Sequence, residues 1–206
     1  MMVRTLCSAI YGIGMLFAEG LRLPRRVDRI RDRERWAAGE NRHQTAEIFV
    51  LLAVVSGFWV LPAIYIFTSW LAGMDYRLPD WVIWPAGLLF ITSLGIRWAA
   101  QRKLAKGWSF TLETVSGHVL IQDGIYAFTR HPIYCSLILW AIAQPLLLQN
   151  FLAGLGGAVA VLLIWGIRVP REEQMMIDIF GDQYRQYMLR TGWFHPHRDT
   201  KNRPPR

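Results

Sequence analysis

The chain alternates between apolar blocks of helical length and short polar segments. The apolar blocks lie at about 5–21, 48–71, 81–100, 132–148 and 151–167. A helix needs about 20 apolar residues to cross a bilayer, with a lower bound near 17. The second and third blocks meet that length comfortably, and the others sit at its short end. The first also carries Glu19 near its end, so it spans only with help from flanking residues or a thin membrane. Pro62 predicts a kink in the second block. Trp81, Trp84 and Trp98 bracket the third as interfacial anchors. Gln149-Asn150 is the whole joint between the fourth and fifth, which should therefore pack as an antiparallel helical hairpin. Gly154, Gly156, Gly157 and Ala158 offer small side chains for close helix contact there. The pattern predicts an all-α integral membrane protein, a single domain over 1–206 with about five transmembrane helices.

Beyond the fifth block the period changes. From Arg171 to Arg190, Met176, Phe180, Tyr184, Tyr187 and Met188 recur at helical spacing among charged residues, with Gly181 in the middle. This predicts an interfacial amphipathic helix, or two short ones, lying over the hairpin. The polar, Pro- and Arg-rich tail at 197–206 reads as disordered.

Composition agrees with a membrane class. Of 206 residues, 53% are hydrophobic and 18% charged, an apolar balance unusual for a soluble domain. The net charge of +8 raises nucleic-acid binding, but the basic residues fall between apolar blocks, where topology accounts for them. With the N-terminus outside, five spans put 22–43, 97–130 and 168–206 on one face, and that face collects nearly all the Lys and Arg. It is therefore the cytoplasmic face. The segment 22–43 holds eight arginines against four acids, a mixed-sign pattern that fits a solvated or headgroup-contacting helix. The N-terminal block lacks a small-residue cleavage site and reads as a retained span. Cys7 and Cys135 both sit in apolar surroundings as separate buried thiols, and no zinc-type spacing is present, so no metal is expected.

Two polar islands interrupt this scheme. The first, Gly117–Tyr134, packs His118, Asp123, Tyr126, Arg130, His131 and Tyr134 into 18 residues, and the second is Arg168-Val-Pro-Arg-Glu-Glu173. Ionisable groups at the ends of short spans are costly and point to function. Singly, each has a plainer account: His118 or His131 as a hydrogen-bonded structural residue, Arg130 as a topology marker, the tyrosines as interface anchors, Pro132 as the first-turn residue of the fourth helix.

Taken together, Gly124-Ile-Tyr126, Arg130-His131-Pro132-Ile133-Tyr134, Arg168-xxx-Glu172-Glu173 and Phe180-Gly181-xx-Tyr184-xx-Tyr187 strongly resemble the isoprenylcysteine carboxyl methyltransferase family, best over 117–196. The short, five-span prokaryotic members are the nearest in form. The resemblance implies a site for S-adenosyl-L-methionine in the C-terminal half, about 108–196. His118, Val119, Leu120 and Ile121 would line the nucleotide and methionine parts, Tyr126, Arg130, His131, Pro132, Ile133 and Tyr134 would continue the pocket, and Glu172 would hold the cofactor from the second island. Arg168 matches the position that meets the substrate carboxylate. The implied partner is a lipophilic small molecule or lipidated substrate taken from among membrane lipids.

The residue types suit that chemistry. A carboxylate answers a sulfonium or ammonium, aromatic rings and backbone N–H groups answer adenine and ribose, and arginine pairs a carboxylate in two places at once. The acceptor stays open among a lipophilic acid, a thiol and a phospholipid amine. Two other classes also stay open: a nicotinamide-dependent membrane reductase of the related branch, and a non-enzymatic haem- or partner-binding subunit using His118 and His131.

Overall fold

A computed structural model of the chain describes residues 2–20, 44–104 and 120–193. The expectations for 22–43, His118, Val119 and the tail at 197–206 lie outside the described residues. Among the described residues the architecture is helical: α1 (Met2–Gly20), α2 (Gln44–Val55) continuing through a π turn (Ser56–Val60) into α3 (Leu61–Phe67), α4 (Ile83–Leu104), α5 (Pro132–Leu148), α6 (Phe151–Leu163), a second π turn (Ile164–Arg168), α7 (Val169–Phe180) and α8 (Asp182–Arg190). Three continuous helical stretches are long and apolar enough to cross a membrane, Ala46–Phe67, Asp80–Leu104 and Phe151–Phe180, while Ser8–Ala18 and Pro132–Leu148 are shorter apolar helices. Their outward faces carry exposed Leu16, Phe67, Trp84 and Leu162. Such a surface belongs in lipid, where helices satisfy their own backbone groups. The chain is an integral membrane protein.

The core explains how short helices hold together. Trp140 of α5 is fully buried and meets Tyr11, Phe58, Trp59 and Phe90 edge-on, with ring centroids 5.1–6.0 Å apart. These tilted contacts match the ring quadrupoles. Its indole N–H donates to the Tyr11 hydroxyl at 2.9 Å, and that hydroxyl donates to the Phe58 carbonyl at 3.2 Å.

The Phe58 carbonyl needs a donor because its partner four residues on would be Pro62, which has no N–H. The neighbouring Gly57 carbonyl is also left over, since the Leu61 N–H turns back to Ser56. Gln144 Nε2 reaches across from α5 to fill it at 2.8 Å, and the same nitrogen meets the Ala153 carbonyl at 2.6 Å. The proline expected to kink this span thus produces a π turn, and side chains from α1 and α5 take up the freed carbonyls.

Close approach of helix backbones depends on Gly57 and Gly154. A Cβ on Gly57 would sit 2.3 Å from the Gly156 carbonyl oxygen, and one on Gly154 would sit 2.8 Å from Pro145 Cα. The Gln149-Asn150 joint is pinned on both sides. Gln149 takes a left-handed conformation at φ 51°. The Asn150 amide oxygen caps α6 by accepting from Ala153 N–H at 3.0 Å, while its nitrogen donates to Leu71 O and Asp75 Oδ1. The hairpin is therefore fixed at its far end, and the opposite end is where the two islands meet.

Past that end, the fifth apolar block does not stop at the second island. The helix runs on from Phe151 to Phe180 through the second π turn. Gly181, at φ 54°, breaks it, and α8 follows as the second of two short amphipathic helices.

Candidate functional site

Both π turns precede a proline by the same spacing, Val60 before Pro62 and Arg168 before Pro170. One extra residue in the turn rotates everything beyond it relative to a regular helix, a device common at functional sites. Here the rotation sets Arg168, Glu172 and Glu173 against the start of α5. Pro132 opens that helix at its first turn, where a missing N–H costs nothing, and it is buried there.

Two clusters result, on neighbouring carboxylates. Glu173 Oε1 accepts from Arg130 Nε at 3.0 Å and Nη2 at 2.8 Å, and from the Trp193 indole N–H at 2.8 Å, and His131 Nε2 lies 3.1 Å away. Arg130 Nη1 also donates to the Thr191 and Met188 carbonyls, and its backbone N–H to Gly192 O at 3.1 Å. Thr129 Oγ1 donates to the Trp193 carbonyl. Arg130 and Glu173 side chains are 7% and 11% exposed. The cluster straps the segment 191–193 across the start of α5.

The second cluster is more open. Glu172 Oε1 accepts from the Tyr134 hydroxyl at 2.5 Å and from Arg168 Nε at 2.8 Å, with Arg168 and Glu172 side chains 29% and 26% exposed. Arg168 Nη1 lies 3.5 Å from Glu47 Oε2, and Arg171 Nη1 lies 3.9 Å from Glu47 Oε1. The His131 and Tyr134 rings stack at 5.6 Å and 21°, joining the two clusters, and Trp165 meets His131 edge-on at 6.3 Å.

The other described residues singled out from the first island pack into two small apolar groups. Ile121 and Ile133 pack on Ala100, Leu104 and Tyr126, whereas Leu120 is buried with Tyr184 and Tyr187 of α8. The Tyr187 hydroxyl donates to the Tyr126 carbonyl at 2.5 Å. Burial raises the Tyr184 and Tyr187 phenols well above the usual range, so both remain neutral donors. Lys103 Nζ, 2.5 Å from Asp123 Oδ2, holds that carboxyl below the usual carboxylate range. The ion pair ties α4 to the turn where Gly124 takes φ 63°.

Arg168, Glu172 and Tyr134 thus come together, as do Arg130 and His131, but the second pair is spent on Glu173. Residues absent from the sequence-level set are Glu173 as the hub, Thr191 and Trp193 at the strap, and Glu47 from α2. Glu173 already stands in the second island, and Glu47 left a signal of its own: an acid at the start of an apolar span requires a cation nearby. Among the described residues no group of three or more His, Cys, Asp or Glu is placed to hold a metal ion.

Residues 86–178 match the isoprenylcysteine carboxyl methyltransferase (ICMT) family model, and this stretch contains both islands' paired residues. The matched stretch, just under half of the chain, is similar to the isoprenylcysteine carboxyl methyltransferase family. Among its relatives are protein-S-isoprenylcysteine O-methyltransferases of Schizosaccharomyces pombe (39% identical over 70 residues, 34% of this chain and 30% of the relative) and Saccharomyces cerevisiae (31% over 110 residues, 51% and 45%). The Homo sapiens protein of the same name is 34% identical over 73 residues, 35% of this chain and 26% of the relative. The chain thus spans less than half the length of the curated relatives it matches. The solved structure of the eukaryotic intramembrane Ras methyltransferase ICMT superposes with a TM-score of 0.50 at 23% identity, over 78% of this chain and 55% of that one. It shares the family fold.

Proposed function

We propose that the protein transfers a methyl group from S-adenosyl-L-methionine to the carboxylate of an isoprenylcysteine-like lipophilic acceptor, at the cytoplasmic face of a prokaryotic inner membrane with the N-terminus outside. The observation that carries the reading is the cluster of Arg168, Glu172 and Tyr134, drawn together from both sides of the hairpin end. Its donor set fits the methyl donor: a partly exposed carboxylate for the cationic sulfonium and ammonium beside the stacked His131–Tyr134 pair, with two small apolar groups around Leu120, Ile121, Tyr126 and Ile133. The family name of its relatives supports the reaction class, and the lipid-facing helices support an apolar acceptor.

Held by Glu172, the donor would supply a methyl group activated on a sulfonium, transferable to the acceptor oxygen with the C–S electron pair left on sulfur. No proton moves, so this chain's residues need to act only by position and charge. Glu172 would hold the cationic donor and Tyr134 would fix the Glu172 carboxylate. Arg168 would orient the acceptor carboxylate, an alignment that can take several kcal/mol off the barrier, about 7 or more in favourable cases. Opposite charges neutralise as the bond forms, and a site at the membrane edge, poor in water, favours that step.

The test is labelled methyl transfer by purified protein to a panel of acids, thiols and amines, with cofactor binding measured in parallel. Glu172→Ala should weaken cofactor binding with the fold intact. Arg168→Ala should bind cofactor and fail on the farnesylated cysteine carboxylate. Transfer to thiols that is equal in wild type and Arg168→Ala, with none to acids, overturns the carboxylate assignment.

A further inference from the structure

Glu47 lies outside the stretch matched to the family, in the first turn of α2, yet it enters the site. A first-turn acid is already favoured by the helix dipole, so position alone would not distinguish it. Its contacts do. Arg168 is held unequally: Nε to Glu172 is a 2.8 Å hydrogen bond, whereas Nη1 to Glu47 is a 3.5 Å ion pair. Arg171 stands at 3.9 Å from the other Glu47 oxygen. Glu47 thus sits between two guanidinium groups without a short bond to either, and it occupies the side of Arg168 that Glu172 leaves available.

Resting on the carboxylate-acceptor reading above, we infer that Glu47 is a built-in stand-in for the acceptor carboxylate: it pairs Arg168 Nη1 until an acceptor takes that edge, and then withdraws toward Arg171. The charges support the exchange. Glu47, Glu172, Arg168 and Arg171 sum to zero. The methyl donor adds one positive charge, from a sulfonium and an ammonium against one carboxylate, and the acceptor adds one negative. The loaded site is therefore neutral. Glu47 thus competes with the acceptor for the Nη1 edge of Arg168. It is a positioning residue that acts through Arg168, and it makes the N-terminal half part of specificity.

A structural strut and a competitor predict opposite signs on removal. Equilibrium binding of a farnesylated cysteine carboxylate and of its primary amide is measured without methyl donor, for wild type and Glu47→Gln. Loss of a competing ion pair at this exposure should tighten acid binding roughly two- to fivefold, lower the acceptor KM by a similar factor, and leave amide binding unchanged. Acid affinity that is unchanged or weaker in a variant of native melting temperature overturns the inference. Should Glu47→Gln fail to fold, Glu47→Asp keeps the first-turn charge while retracting the carboxylate, and the same sign is required of it. A wild type that binds acid and amide alike defeats the carboxylate reading itself. A wild type that prefers the acid, with that preference unmoved by Glu47→Gln, defeats only the role of Glu47.

Discussion

Glu172 and Glu173 are adjacent on one helix turn, about 100° apart around the axis, and they lead different lives. One Glu173 oxygen gathers Arg130, His131 and Trp193, and its side chain is 11% exposed. Among the described residues, the Glu172 oxygen meets a phenol and one edge of Arg168, at 26% exposure. A carboxylate saturated by buried donors has little left for a ligand, and removing it would strand a charge. One held by two partners near the surface can exchange them cheaply. The first builds the site and the second is built to be used. The resemblance assigns Glu172 alone to the cofactor, and the geometry gives the two carboxylates separate partners.

The sharpest way to break this contrast is at Glu173. Glu173→Ala would leave the Arg130 guanidinium buried without its counter-ion, a loss of about 3–5 kcal/mol, and should lower the melting temperature in detergent more than any other change in the site. Glu172→Ala should leave melting within a few degrees while weakening cofactor binding by roughly tenfold or more, the scale of a lost charge-assisted bond of about 1.5–3 kcal/mol. If Glu172→Ala melts the protein and Glu173→Ala does not, the division of labour is reversed. Arg168→Lys comes next. It keeps the charge but not the planar fork, so turnover on a carboxylate acceptor should fall about tenfold while cofactor affinity holds.

Much of this was legible in the chain. Apolar block lengths located the helices, Pro132 marked the start of α5, the Gln149-Asn150 joint marked the hairpin, and Gly181 split the amphipathic segment. These are local signals, fixed by period and by backbone chemistry. What stayed hidden depends on pairing across distance. Nothing near Glu173 in sequence says that Arg130 and Trp193 converge on one of its oxygens. Arg130 and His131 are cofactor candidates through the family resemblance, and a motif match does not say that both also meet Glu173. The unbroken run from α6 into α7 was hidden for a related reason. A charged segment after 17 apolar residues resembles a helix end, but the π turn before Pro170 carries the helix through it.

The smallest effect tests how far the saturation of Glu173 extends. Trp193→Phe removes one donor of the set and keeps an aromatic ring against Trp165, whose centroid lies 5.2 Å away. Because Arg130 and His131 stay on the same oxygen, the carboxylate is not stranded, and the cost should be about 1 kcal/mol. That corresponds to a shift of a few degrees in melting temperature for a chain of this size. Cofactor binding should not change, since Trp193 makes no contact with Glu172 or Arg168 in the hydrogen-bond network described. A Trp193→Phe variant that melts normally but loses cofactor affinity would mean that the strap at 191–193 is a wall of the binding site. It would then move Glu173 from the group that builds the pocket to the group that is used.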